Sequence, residues 1–450
     1  MASRLIYVAE SYSMQSKDSE KSISISCPAC GLLCDDLRLV SASPIKLNIS
    51  CTKGVAFFEY TLNAAPRQPS VAGQATDLNT AIQAAVTILK QSQTPLFAGL
   101  GTEVQGMRAI LQLANKTGAT LDHMHSEGMI RNTLALQNSG WQNTTLTEVK
   151  NRATVIFAIG TDIVSSHPRF FEKLVWNSES LFNKPRPEVI YLAVDEKNTT
   201  AGISPEGKKP WIIPAEIKQL PEIMNVLNAL LNQKNPLHKK TPDALICGIA
   251  VATLLALLEK LKSAQYVVVV WAAGNFKFSQ AELTVQSIIQ LIAKINETTR
   301  IAGLPLNAGD GDVSVNNTST WLSGYPIRSR HVKLGDANPE NINQNQQLEY
   351  DPHHFSCQQQ LKNSDALIWI STFNAQLPPN CSLPTIVIGH PSLQFERMPD
   401  VFIPVGVPGI DHAGTQFRMD NVVALPLKKL RQSDLPSLSQ VIQLLTDELP

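Results

Sequence analysis

No stretch of this chain approaches the ~20 consecutive apolar residues that a membrane-spanning helix needs; the apolar run at 267–271 has the length of a buried strand. Net charge is missing too. Lys and Arg number 38 against 38 Asp and Glu, so no electrostatic case exists for nucleic acid or an anionic membrane as a partner. The first residues, MASRLIYVAESYSMQSKDSEKS, hold no long apolar core and soon turn polar. A secretory signal is therefore not expected, and a cytoplasmic, reducing setting is. The common nucleotide and hydrolase signatures are also lacking. Gly99-Leu-Gly101 would need a further glycine where Val104 stands to complete a dinucleotide fingerprint, and there is no P-loop lysine, G-x-S-x-G elbow or H-E-x-x-H helix. No internal repeat of fixed period is present.

What the chain does hold is a concentration of cysteine. Of seven, four fall between positions 27 and 51, as Cys27-Pro-Ala-Cys30-Gly-Leu-Leu-Cys34 and Cys51-Thr-Lys-Gly. Two thiolates two residues apart converge on one centre through a tight turn. A third close by and a fourth from a separate segment complete a four-thiolate cage of the kind that holds a [4Fe–4S] cluster. Zinc sites favour two well-separated C-x2-C pairs, and here the second half is Cys51 alone. Disulfides are disfavoured by the reducing setting. Cluster, zinc and metal-free thiols remain the three readings. Cys247, Cys357 and Cys381 are scattered and read as incidental thiols. Lys53, two residues after Cys51, is a cation placed to act on a cluster or to bridge to a neighbouring cofactor.

At 450 residues with 43% hydrophobic and 17% charged content, the chain is an ordinary globular protein of roughly two to four domains. A short strand is expected at 4–8. Short β-like runs surround the cysteine loop between 23 and 49, suggesting a small β-rich unit. From about Gln68 strands of four to six residues alternate with helices. Strands are expected at 95–100, 154–159, 189–194, 266–271, 366–370, 385–388 and 401–403. Helices are expected at 78–91, 104–116, 221–232, 242–262 and 280–295. This alternation indicates parallel α/β layers, with more units than one sheet usually holds, hence two Rossmann-like domains. The Asn/Gln-rich stretch 335–352 reads as a surface insertion. His123 and His125 lack a third metal ligand at suitable spacing and read as surface or partner-facing. His353-His354 carries little signal. Asp310-Gly-Asp312 lies in a Gly/Asn-rich loop that either cradles a phosphate or turns the chain.

The motifs CPACGLLCDD, Cys51-x-Lys-Gly, TLTEVKNRATVIFAIGTDIVSSHPRFFEK at 145–173, Asn307 to Gly309 leading to Thr320-Trp-Leu-Ser-Gly-Tyr-Pro326, and Gly409-Ile-Asp-x-x-Gly414-Thr-x-x-Arg418-Met-Asp420 together resemble the B subunit of formylmethanofuran dehydrogenase. The similarity runs from about residue 23 to 430. It implies an α/β fold like that of the molybdopterin oxidoreductases and formate dehydrogenase: a small N-terminal β-rich cysteine-cluster domain plus two discontinuous Rossmann-like α/β domains. The implied division is 1–66 with 405–450 returning to it, 67–150 with 265–362, and 151–264 with 363–404. Metal ligation of a [4Fe–4S] cluster falls to Cys27, Cys30, Cys34 and Cys51, and cofactor contact to Lys53.

The resemblance fails at one place. Redox-active members carry a C-H-G-P-like segment whose cysteine or selenocysteine ligates tungsten or molybdenum. Counting back from Glu148 places Gly128 at that position, and glycine has no side chain to hold a soft metal. This departure makes the chain more similar to a second branch, the B subunit of the bacterial formyltransferase/hydrolase complex. That branch implies tetrahydromethanopterin-linked formaldehyde oxidation and a non-redox structural subunit with no catalytic residue of its own. It also implies A, C and D partner subunits, with C the closest. Tungstopterin or molybdopterin is expected to be absent, and the four cysteines are either a retained cluster site or thiols left by descent. The alternative is an active dehydrogenase subunit whose metal is held without a cysteine.

Overall fold

The computed structural model describes residues 24–65, 67–182, 184–231, 244–332 and 348–450. The strand expected at 4–8 and most of the 335–352 insertion lie outside the described residues.

Two parallel sheets carry the architecture. The first has five strands in the order Trp211–Ile213, Glu188–Leu192, Val155–Ile159, Tyr266–Trp271 and Arg300–Pro305, every pairing parallel. Counted in chain order that is 3-2-1-4-5, the order of a doubly wound sheet. Val155–Ile159 is buried along its whole length, and so are the last five residues of Tyr266–Trp271, which is why these strands read as unbroken apolar runs instead of alternating ones.

The second sheet has nine strands. Its parallel core runs Thr120–Leu121, Pro95–Gly101, Ala366–Ser371, Thr385–Gly389, Val401–Pro404. Here the order is 2-1-3-4-5, the other common doubly wound arrangement. Antiparallel strands close both edges: Ser329–His331 and Leu348–Tyr350 on one side, Ser70–Val71 and Gln74–Ala75 on the other.

The sheets group the segments otherwise than expected. Strand Tyr266–Trp271 pairs with Val155–Ile159, so residues 265–305 belong with the 151–264 segment and not with 67–150. Strand Ala366–Ser371 pairs with Pro95–Gly101, so 363–404 joins the 67–121 segment. The physical reason is that all these strands are short, apolar and doubly buried. Their texture says that they are parallel-sheet strands but not which sheet they enter.

Local corrections have local causes. The helix expected from 242 begins only at Val251, because Leu245–Ile246 and Ile249–Ala250 form a hairpin. Its two turn residues, Cys247 and Gly248, both have positive φ, the turn geometry that matches strand twist. In the cysteine unit, three short strands (Ser24–Ile25, Leu37–Ala42, Ile45–Leu47) are followed by a helix, Thr52–Leu62, so the unit is not purely β. Residues 405–430 do return to it: Val407, Ile410, Met419 and Leu427 share a core with Cys27, Cys30, Cys34, Phe57 and Phe58. The terminal helix Leu438–Glu448 does not. Its Leu438, Val441, Ile442 and Leu445 pack into the core of the nine-stranded sheet with Met107, Ile110 and Ala114. Its amphipathic spacing identified a buried face but not the surface that covers it.

Candidate functional site: a cysteine loop and a polar cavity at the strand ends

The cysteine loop is closed by its own backbone. Cys27 N donates to Cys34 O at 2.9 Å and Leu33 N to Cys30 O at 3.2 Å, with Leu33 in the left-handed region at φ 45°. Cys51 arrives from the other side as the N-cap of helix Thr52–Leu62, its Sγ accepting from Gly54 N at 3.2 Å. A side chain at Gly54 would stand 3.2 Å from Cys51 Sγ and 3.6 Å from Cys27 Sγ. Glycine there lets two sulfurs approach one helix N-terminus, whose positive end favours thiolate. All four cysteines line one small cavity, walled also by Leu32, Leu37, Ile49 and Arg169.

Burial governs the charge of these thiols. It raises Cys27, where the three other cysteines add to the effect, and it raises Cys30; Cys34 is pushed up to about 12. Lys53 and Arg169 pull Cys30 the other way. Arg169 is itself fixed by a bidentate pair to Asp36, both bonds at 2.8 Å, which holds the Asp36 carboxyl down at about 2. Among the described residues no group of three or more His, Cys, Asp or Glu side chains is placed to hold a metal ion.

A second, larger cavity of about 600 Å³ opens beside this loop. In doubly wound sheets the binding crevice lies beyond the carboxyl ends of the strands, where the strand order reverses. The cavity obeys that rule for the five-stranded sheet and meets the nine-stranded one beyond the end of Thr120–Leu121. Thr161, Asp162 and Ser166 follow Val155–Ile159; Gly274 and Asn275 follow Tyr266–Trp271; Asn307 and Ala308 follow Arg300–Pro305; His125 follows Thr120–Leu121. Lys53, Met419 and Asn421 bring the cysteine unit and the returning segment to the same wall.

One asparagine joins these parts. Asn307 Oδ1 accepts from His167 Nε2 at 2.9 Å and its Nδ2 donates to Asp312 Oδ1 at 2.8 Å. A methyl group on Gly31 would collide with Asn307 Oδ1 and lie 2.8 Å from Met419 Cβ. Met419 N also donates to Gly31 O at 3.0 Å. The tip of the cysteine loop is thus seated on the floor of the five-stranded sheet. His167, fully enclosed, is driven down to about 4 by burial and stays neutral.

The histidines expected to face the surface or a partner are drawn inward, His123 fully and His125 in part. His123 is buried, its Nε2 donating to Asp310 O at 3.2 Å and its Nδ1 accepting from His125 N at 3.0 Å, and burial lowers its pKa. His125 is half-buried on the cavity wall, its Nε2 2.9 Å from Asp310 Oδ2. Burial works against the charged ring, but the Asp310 carboxylate outweighs it and raises His125. The 310–312 segment does not stay a loop. Asp310 engages His125 and Asn374, while Asp312 opens helix Asp312–Ser323 and accepts from Ala308 N and Val313 N at 2.8 Å. His354 is exposed, and its ring pairs with Asp351. Sequence reasoning noticed both His125 and Asp310, but 185 positions separate them and nothing local announces their pairing.

Gly128 lies on the cavity wall in helix Ser126–Ser139. A Cβ there would stand 2.8 Å from Gly274 N and 3.1 Å from Gly274 Cα. The same helix is stapled to that turn by Arg131 Nη1 donating to Ala273 O at 2.8 Å and by Trp271 Nε1 donating to Asn132 Oδ1 at 2.9 Å. Position 128 therefore lacks not only a ligand side chain but the space for one.

No protein-family profile matches the chain. Among curated proteins it is 24% identical over 416 residues (88% of this chain, 91% of the relative) to the B subunit of the tungsten-containing formylmethanofuran dehydrogenase 2 of Methanocaldococcus jannaschii. It is 28% identical over 350 residues (75% of this chain, 85% of the relative) to the B subunit of the formyltransferase/hydrolase complex Fhc of Methylorubrum extorquens. Among solved structures it superposes with a TM-score of 0.67 on a chain of the formyltransferase/hydrolase complex FhcABCD from Methylorubrum extorquens in complex with methylofuran. That match has 23% identity and covers 85% of this chain and 98% of that one. These B subunits are homologues of the chain, and the mixed α/β fold is shared.

Two outcomes are expected from this geometry. Gly31→Ala forces Asn307 off His167 and Asp312 and costs about 1–3 kcal/mol of stability by overpacking, whereas Gly274→Ala, with nothing within 4 Å of its Cβ, is tolerated; denaturation midpoints of the two variants check this. The second concerns pH. His125 is faced by Asp310, Asp312, His123 and Lys53, and its pKa is raised on folding. Its pairing therefore stabilises fully below the unfolded value of about 6.5 and fades as pH rises through the folded one. Thermal melts of wild type and His125→Gln are expected to differ most near pH 6 and to converge in alkali.

Proposed function

We propose that this chain is the B subunit of a formyltransferase/hydrolase complex in tetrahydromethanopterin-linked one-carbon metabolism, a cytoplasmic, non-redox structural subunit in formaldehyde oxidation. The observation that carries the reading is Gly128: the tungsten or molybdenum ligand is missing, and the backbone of Gly274 fills the space a ligand side chain would need. The relatives support the assembly. One is itself the B subunit of such a complex, and the solved neighbour is a four-subunit assembly with methylofuran. The partners are then the A, C and D subunits, with C the nearest, and a methanofuran-type carrier is the complex's formyl acceptor. Consecutive Trp321 and Leu322 are 70% and 59% exposed on helix Asp312–Ser323, with Val422 at 59%, which suits a chain that works inside an assembly.

Within that reading the fold is the molybdopterin-oxidoreductase type, with the cysteine unit and the two doubly wound layers as its parts. The donor set of the cysteine loop suits a multi-iron cluster better than one ion. Four thiols line one largely apolar cavity, and a [4Fe–4S] cluster takes four cysteine ligands. Cys27, Cys30, Cys34 and Cys51 would hold it, and it would supply one-electron chemistry when bound. Arg169 offsets the negative charge of the thiolates, and Lys53 stands between the loop and the large cavity.

The second reading, an active dehydrogenase subunit, draws on the persistence of the cavity at the strand ends and on the tungsten-containing relatives. The two readings separate on one preparation. The tagged chain purified without oxygen from its native host is expected to bring down amidohydrolase-like and formyltransferase-like partners and to show no formate-dependent reduction of a viologen dye. Gly128→Cys is expected to leave that activity absent and to lower stability. Formate-dependent dye reduction by the wild-type complex would overturn the proposal.

A further inference from the structure

The segment that follows strand Val155–Ile159 clasps the cysteine loop at two points. His167 reaches the loop's tip through Asn307 and Gly31. Two residues on, Arg169 takes Asp36, which stands two residues after Cys34. Every nitrogen of that guanidinium donates to a carboxylate. Nη1 and Nη2 go to Asp36, both at 2.8 Å, while Nε and Nη2 go to Glu172 at 3.0 and 2.6 Å. Lys173 Nζ joins Asp36 at 3.1 Å. A planar fork occupied at both ends is fixed in place, and a lysine could not reproduce it.

The position of this latch matters more than its strength. Arg169 and Pro168 form part of the wall of the cysteine cavity, whose remainder is the four thiols, Ser50 and apolar side chains. The Arg169 side chain is 12% exposed, whereas Asp36 is 39% and Glu172 57% exposed. The guanidinium therefore lies between the thiols on its inner side and two solvent-facing carboxylates on its outer side. Burial raises Cys34, and the charges of Arg169 and Lys173 act against it. Ion pairs with exposed carboxylates are screened by salt, so the latch loosens as ionic strength rises while the apolar remainder of the wall does not.

From this arrangement we infer that Arg169 is the gate of the cysteine cavity: latched outward by Asp36 and Glu172, it closes the path from solvent to the four thiols and sets how fast iron, oxygen and thiol reagents pass. The iron half of this inference rests on the cluster reading above, and the thiol half does not. Opening requires only the outer ion pairs to part, with no movement of either sheet, and is a local event. The contact of Gly31 with Asn307 keeps the loop seated while Arg169 swings out.

The test reads two rates on the complex purified without oxygen. One is the transfer of iron to a coloured ferrous chelator under reducing conditions. The other, after the iron has been stripped, is alkylation of each cysteine by iodoacetamide, mapped by mass spectrometry. In the wild type both are expected to be slow at low salt and to quicken as salt rises. Arg169→Gln is expected to raise both about tenfold at low salt, the worth of one charge-assisted hydrogen bond to a local opening, and to remove their salt dependence. Glu172→Gln, which keeps the Asp36 arm, gives a smaller rise, and Arg169→Lys falls between. Cys247, Cys357 and Cys381 lie outside the cavity and are the internal reference. Their alkylation is expected to stay unchanged, which a general loss of structure would not allow. If Arg169→Gln does not assemble with its partner subunits, Glu172→Gln, on the exposed side, carries the comparison. A wild-type complex without iron would refute the cluster reading alone, with the alkylation rates still deciding the gate. Cavity thiols that react at the wild-type rate in both Arg169→Gln and Glu172→Gln, or reference thiols that quicken along with them, would overturn the inference.

Discussion

The side chain of Asn307 is where the parts of this molecule meet. It stands just beyond the last strand of the five-stranded sheet, spends both halves of its amide on His167 and Asp312, and presses on Gly31 at the tip of the cysteine loop. His167 comes from the segment after the first strand of the same sheet, and Asp312 opens the helix that leads toward the second sheet's edge. A half-buried amide whose oxygen and nitrogen are both paired is held rigidly, and a half-paired one is costly. The seating of the cysteine loop, the floor of the cavity and the start of helix Asp312–Ser323 are consequently set together. Met419, bonded to Gly31, brings the returning segment into the same arrangement.

Around this anchor the two sheets meet at their carboxyl ends, and the cavity is what remains between them. That placement is an outcome of topology. The five-stranded sheet opens a crevice where its strand order reverses, and helix Ser126–Ser139, which follows a strand of the other sheet, lines it. The contact of Gly128 with Gly274 then narrows it on one side, because helix Ser126–Ser139 follows a strand of one sheet and Gly274 follows a strand of the other. Glycine at 128 allows an approach to the Gly274 backbone that any side chain there would prevent. The close packing leaves no room for a side chain at position 128, which under the proposed function is also where a metal ligand would be needed.

Much of the fold was legible locally. Helix Leu78–Gln91 and strand Tyr266–Trp271 lie where their periodicity places them, since amphipathic spacing and doubly buried runs are properties of short segments. The four cysteines were legible by spacing, and the structure places them around one cavity. What escaped was long-range. Which sheet a strand joins depends on partners more than a hundred positions away. The apolar face of the terminal helix does not say that it covers Met107 and Ile110. The helical start at Asp312 was hidden by its Gly/Asn-rich approach. His125 and Asp310 were each conspicuous, but the pairing that makes them one unit exists only in the folded chain. Gly128 stood out as an absent ligand, while the reason no other side chain could take its place was visible only in the backbone of Gly274.

The claim at the centre is that the metal-ligand position has been closed while the cysteine site has been kept. Quantifying iron, tungsten and molybdenum on the complex purified without oxygen tests it most directly. About four irons per chain, the content of a [4Fe–4S] cluster, with neither tungsten nor molybdenum, is the predicted result. Tungsten or molybdenum at one per chain would contradict it.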